Sequence, residues 1–326
     1  MRGSRFLKQS LILAVLSPMI AEFLTGSTSL FIFFPNPLIG CVGFLFLLAG
    51  YGGGVLLVRE VSVITGRGWG AILPLGAAYG ILEEGFGVHT FFQPYGHPVW
   101  AMGQYGRVFG INWTWAVGLS IFHSIYSIAL PILLINLAYP ETAGKRFLGK
   151  TGIVICLASL LGAYLFVGLT TPYAPDFAQS VFFLIVIIFL ALIALKLPER
   201  FFIPRTHEPA RNRRFFMMVS SVPLFYWLLT LTILVSVNFP AVIATGLDLV
   251  VCFLCAGSIL KNIGIAGNHK QVMGVAWGLL IPLFSFDIIE ATWYPEVLLV
   301  TFFFIMYLRS LGRKGSDVIN GSTGIP

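Results

Sequence analysis

Phe177-Ala-Gln-Ser-Val-Phe-Phe-Leu-Ile-Val-Ile-Ile-Phe-Leu-Ala-Leu-Ile-Ala-Leu195 carries no charge, and Lys196 opens the connection that follows it, with Arg200, Arg205, Arg211, Arg213 and Arg214. About 20 apolar residues in helical form cross the hydrocarbon core of a bilayer. A helix does so because its backbone groups bond to one another and leave none to be satisfied by lipid. Phe, Leu, Ile and Val occupy every face of this run, so it has no side suited to water. The sequence therefore predicts a helix in lipid, ended by a basic loop.

Read outward from there, the same pattern recurs. Candidate spans precede it at Phe6 to Phe23, Leu38 to Val58, Ala71 to Phe91, Trp113 to Ala138 and Thr151 to Thr170. Others follow at Phe215 to Val237, Ala241 to Leu260, Val272 to Ile289 and Thr292 to Leu308, the last interrupted near its start by Pro295 and Glu296. The expected fold class is all-α: a polytopic membrane bundle of about ten transmembrane helices, forming a single embedded domain over 1–326. Residues 196–214 are expected as a basic cytoplasmic loop and 309–326 as a cytoplasmic tail.

The distribution of Lys and Arg gives the orientation, because basic loops are retained in the cytoplasm. Arg2, Arg5 and Lys8 precede the first span; Arg59 and Arg67 follow the second; Lys145, Arg146 and Lys150 follow the fourth. The six basic residues after the sixth span, Lys261 and Lys270 after the eighth, and Arg309, Arg313 and Lys314 after the tenth complete the series. Nineteen of the 20 thus fall on one side, and Arg107 alone falls on the other. Both termini are expected in the cytoplasm of a multi-pass protein of the cell membrane.

Composition agrees. Of 326 residues, 57% are hydrophobic and only 10% charged, against roughly 25% charged in a soluble domain, which excludes a water-soluble globule. The net charge of +7 resides in loop clusters, so topology and contact with the lipid bilayer explain it, and no nucleic-acid partner is expected. Cys41, Cys156, Cys252 and Cys255 lie in apolar runs and read as small packing residues. The oligomeric state is left open by the sequence.

Ionisable residues inside spans are costly and ask for a partner or a purpose. Glu83 and Glu84 lie near the middle of the third span, and His123 lies about as deep in the fourth, which runs the other way. The three are expected to meet in one pocket. Adjacent helical residues point about 100° apart, so one glutamate should face the pocket and the other a neighbouring helix. Glu22, Asp248, Asp287, His89 and His97 belong to the same outer half, suggesting an outward-opening cavity. As structural partners for the glutamates, Arg107, Tyr79 and Trp115 are available by depth. A divalent metal is possible between helices, with Glu84, His89 and His123 as candidate ligands; no cofactor is otherwise implied. Gly76 and Gly80, like Gly50 and Gly54, are spaced for close helix approach. Arg59 and Glu60 read as a snorkelling base beside an acid. The aromatic connection from Gln93 to Asn112 reads as an interfacial belt or lid. His207 and His269 read as loop histidines.

Glu83-Glu84 followed one helix later by His123 resembles the CPBP family of intramembrane proteases, also called CAAX-protease or Abi-like proteins. The resemblance implies a catalytic role for Glu83, Glu84 and His123 in activating water. On that footing the leading expectation is an intramembrane hydrolase, with a protease as its specific form, acting on a membrane or small-molecule substrate not named by the sequence. The alternative is a secondary transporter, proton-coupled through the same glutamates. A non-catalytic membrane scaffold is the third expectation.

Overall fold

Three asparagines start three of the helices. Asn36 Oδ1 accepts from Ile39 N at 3.2 Å, Asn112 Oδ1 from Trp115 N at 3.0 Å and Asn212 Oδ1 from Phe215 N at 3.1 Å. Each satisfies one of the amide groups that a helix leaves without an internal partner. The computed structural model describes residues 6–29, 36–94, 104–196, 212–262, 269–290 and 296–321, with side chains up to 288 and again from 296 to 312 in the last two stretches. Of the expected basic loop at 196–214, Lys196 ends one helix and Arg213 and Arg214 begin the next, while 197–211, with His207, lies outside the described residues, as do His97, Trp100, Arg2, Arg5 and the start of the tenth span at Thr292 to Pro295.

Among the described residues the chain forms ten helical rods. They are α1 (Leu7–Pro18, continued by Met19–Phe23), α2 (Pro37–Thr65), α3 (Trp69–Ile81, continued by Leu82–Gly87), α4 (Trp113–Ala138) and α5 (Lys150–Thr170). They continue as α6 (Phe177–Lys196), α7 (Arg213–Leu234), α8 (Ala241–Asn262), α9 (His269–Glu290) and α10 (Val297–Gly321). Seven of them, α2 and α4 to α9, are long and apolar enough to cross a membrane. Helix α10 runs from Val297 to Gly321.

A two-residue hairpin, Arg107–Val108 paired with Ile111–Asn112, interrupts the otherwise helical chain between α3 and α4. Gly106 and Gly110 take positive φ there, which glycine adopts without a Cβ penalty. Tyr105 ties this connection to the turn before α8 by donating to Phe239 O at 2.7 Å.

Helix α4 is the axis of the bundle: 78% of its apolar stretch is buried, against 11% for α6 and for α8. One core joins α1, α2, α3 and α5 to it through Leu13, Val55, Ile72, Ile132 and Leu160. A second joins α4 to α7, α9 and α10 through Leu130, Leu134, Phe216, Leu280 and Phe304. Large apolar side chains on α6 and α8, such as Phe189 and Phe253, stay exposed, which suits helices bounded by lipid.

Arg59 does not snorkel. Its guanidinium is buried between Glu60 (3.3 Å), the Thr142 carbonyl (3.1 Å) and the face of the Phe147 ring, 3.2 Å from the centroid. Glu60 also accepts from Phe147 N at 2.6 Å and from Arg146 Nε at 3.4 Å. The loop between α4 and α5 folds over this pair and shuts it in. A loop return of this kind depends on tertiary packing, to which the local sequence gives no direct clue.

Candidate functional site

Among the described residues five rods carry a π-helical turn; besides Thr230–Leu234 in α7, the other four supply one group of polar side chains. These four turns are Met19–Phe23 in α1, Leu48–Gly52 in α2, Leu82–Gly87 in α3 and His123–Ala129 in α4. They contribute Glu22, Tyr51, Glu83 with Glu84, and His123, respectively. A π-turn widens the helix and changes the direction of the side chains it carries, and such turns concentrate at functional sites.

The imidazole of His123 is held between two carboxylates. Glu84 Oε1 lies 2.9 Å from Nε2, and Glu83 Oε2 lies 3.2 Å from Nδ1. Both glutamates therefore reach the same ring, whereas the helical spacing predicts that one of them turns to a neighbouring helix. The imidazole presents its two nitrogens in different directions, and the π-turn at Leu82–Gly87 redirects the adjacent side chains, so neither glutamate has to aim at the atom taken by the other. Glu84 lines the adjoining cavity, and Glu83 stands behind the ring.

Ser127, one turn along α4, places Oγ 2.8 Å from His123 Nδ1. A single ring N–H cannot serve both Ser127 and Glu83, and Glu83 Oε2 is left without a hydrogen bond although Glu83 is buried. Glu84 Oε2 accepts from Thr90 Oγ1. Glu22 accepts from Tyr51 OH and, at 2.6 Å, from Thr28 Oγ1. The Tyr51 and Tyr79 rings each stand 6.1 Å from the imidazole, and Tyr79 and Tyr164 share a 2.6 Å hydrogen bond between their hydroxyls.

A cavity of about 380 Å³ opens against this group. It is lined by the polar side chains of Glu22, Tyr51, Glu84, Thr90 and His123 and by the rings of Trp115, Phe122, Trp227 and Phe286. The ion pairs made by Glu83 and Glu84, among the described residues, are to His123. One imidazolium balances one carboxylate, so the remaining carboxyl groups call for protons or a cation, since isolated charges are not tolerated at this burial. Glu83, Glu84 and His123 each offer a ligand atom, and these atoms lie within 4.8 Å of one another. Two oxygens and an imidazole nitrogen suit a divalent ion such as zinc or manganese.

The other expected members are dispersed. His89 lies outside this group: it takes a positive φ at the end of α3, and its Nδ1 lies 3.2 Å from Pro172 O. Arg107 donates to the Gln93 carbonyl at 3.1 Å and to that of Phe92, and so does not serve as a partner for the glutamates. Asp287 accepts from Thr301 between α9 and α10. Asp248 is buried in a smaller neighbouring cavity. His269 bonds to the Leu311 carbonyl at 3.1 Å. Tyr51, Tyr164 and Ser127 are site residues that sequence reasoning missed. Ser127 had a usable signal, since i and i+4 share a helix face; the tyrosines had none.

A family model described as an uncharacterized membrane protein family matches residues 11–308. That match overturns the resemblance to the CPBP proteases. The likeness rested on Glu83, Glu84 and His123 alone, with Val88 and Leu119 standing where that family has an arginine and an aromatic residue. Acids and a histidine at equal depth on neighbouring helices meet for reasons of burial, whatever the chemistry. No curated protein and no solved structure matches the chain. With more than nine-tenths of its length matched and its helices apolar enough for lipid, this multi-pass protein belongs to the uncharacterized membrane protein family.

Proposed function

We propose that the protein is a proton-coupled secondary transporter whose proton-exchanging group is Glu83, His123 and Glu84. The observation that carries this reading is the imidazole held between two buried carboxylates, only one of which lines the cavity. A proton received by Glu84 from the cavity passes through the His123 ring to Glu83, and each transfer alters the charge facing the cavity. Intramembrane acids and histidines placed in this way mark proton relays in pumps and transporters.

In this reading the chain crosses the bilayer ten times with both termini in the cytoplasm. The basic residues between spans support that topology. The cavity then opens in the outer half. Discontinuities in four helices at one depth support a binding site there, as in transporters whose sites are built from broken helices.

Hydrolysis by water activated at a divalent ion is the second reading, favoured by three ligand atoms within 4.8 Å. It ranks second because both oxygens of Glu84 already accept hydrogen bonds, from His123 and Thr90. The experiment that separates the two is solute uptake into proteoliposomes under an imposed pH gradient, beside elemental analysis of the purified protein. Gradient-driven uptake lost in Glu84→Gln supports transport. Stoichiometric metal together with gradient-independent turnover supports hydrolysis and removes the transport reading.

A further inference from the structure

Asp248 on α8 is buried to 3% exposure, and its Oδ2 has no hydrogen-bond partner. Close by, the indole nitrogen of Trp227 on α7 is also buried without an acceptor. Both residues line a cavity of about 20 Å³, room for one water-sized group. A buried carboxylate left so is strongly disfavoured unless something fills the space and bonds to it.

The cavity continues into an apolar crevice of about 260 Å³; Ile121, Ile125, Pro223 and Cys252 line both. Two serines interrupt the apolar walls of the crevice, and both hydroxyls are already committed to backbone carbonyls: Ser124 to Leu73 O at 2.7 Å and Ser220 to Phe216 O at 2.6 Å. Apart from the Trp69 indole and the weakly polar Cys252 and Cys255 thiols the remaining walls are apolar, so the crevice suits hydrocarbon. One end of the combined space is thus a small anionic pocket under the aromatic rings of Phe122, Tyr126 and Trp227, and the other is a slot for a chain.

We infer that Asp248 is the headgroup site of an amphiphile bearing a primary amine, with its chain lying in the crevice between α3, α4, α7, α8 and α9. An ammonium group is about the size of a water, donates hydrogen bonds to the carboxylate, and is drawn to surrounding aromatic faces. A trimethylammonium group is too large for the space, and a carboxylate or phosphate headgroup meets a like charge. The pocket shares the Phe122 and Trp227 rings with the larger cavity, but Asp248 is no part of the Glu83–His123–Glu84 group and the inference does not depend on the transport reading.

The test uses the full chain purified in a neutral detergent, with binding followed by calorimetry. The probes are dodecylamine, butylamine, dodecyltrimethylammonium and dodecanoate. Dodecylamine is expected to bind, the other three far more weakly. Asp248→Asn should weaken dodecylamine by about tenfold or more, the loss expected for a charge-assisted hydrogen bond. Ala256→Trp, which fills the crevice, should erase the preference for the long amine over the short one. Equal binding of the primary and quaternary amines by the wild type overturns the inference, even where Asp248→Asn does not fold. Binding that is lost in Glu84→Gln and kept in Asp248→Asn places the amine in the larger cavity and also overturns it. No amine binding at all leaves water as the occupant and the inference fails.

Discussion

Gly80 on α3 stands directly against His123 on α4: a Cβ at position 80 would lie 2.9 Å from the His123 Cβ and 3.1 Å from the Ser120 Cα. Four residues earlier, a Cβ on Gly76 would lie 2.8 Å from the Ser124 Cα. The absence of side chains at these positions lets α3 and α4 approach closely enough for Glu83 and Glu84 to bracket the imidazole.

Gly80→Ala is expected to push the two helices apart and to lower stability by about 1–3 kcal/mol, the usual cost of overpacking. The neighbours are backbone or Cβ atoms and cannot swing aside. Gly162→Ala on α5, where a Cβ meets nothing within 4 Å, is the control and should leave the melting temperature unchanged or raise it. Thermal unfolding in detergent checks both. Equal effects at the two positions would show that helix propensity, rather than the close approach, governs the response.

Glu60→Gln is expected to be among the most damaging conservative substitutions in the protein, at about 3–5 kcal/mol, because it leaves the Arg59 guanidinium buried without its counter-charge. Arg146→Ala should cost about 1 kcal/mol or less, as the Arg146 side chain is 48% exposed and its link to Glu60 is long at 3.4 Å. Denaturation of the two variants side by side measures the difference.

Tyr51→Phe removes the hydroxyl that donates to Glu22 and leaves Thr28 as its remaining partner. The expected cost is about 1–3 kcal/mol for a buried acceptor that loses a bond. Thr90→Val acts in the same way on Glu84 Oε2. Thr90→Val should alter proton exchange through Glu84 and Tyr51→Phe through Glu83, to which the Tyr51 hydroxyl also bonds, and paired unfolding and uptake measurements separate these effects from the loss of stability.

Much of the fold is legible in the hydropathy of the chain. All ten expected spans overlap a helical rod, because a run of about 20 apolar residues has few alternatives to a buried or lipid-bounded helix. The meeting of Glu83, Glu84 and His123 follows from counting depth along two antiparallel helices. Depth carries no information on direction around the helix axis. That is why Arg59, read as reaching outward, is buried, and why both glutamates reach one ring after a π-turn that no residue pattern announces. Tyr51 and Tyr164 enter from α2 and α5 through tertiary packing, with glycines such as Gly50 clearing space beside Tyr164.

The central claim is that the Glu83–His123–Glu84 group exchanges protons, and infrared titration of purified protein carrying isotope-labelled glutamate tests it most directly. The account predicts a glutamate carboxyl band that converts to carboxylate as the pH is raised across the range in which the protein stays folded, loses one component in Glu84→Gln and changes in His123→Asn. A glutamate spectrum unchanged across that range, or one identical in wild type and Glu84→Gln, would contradict it.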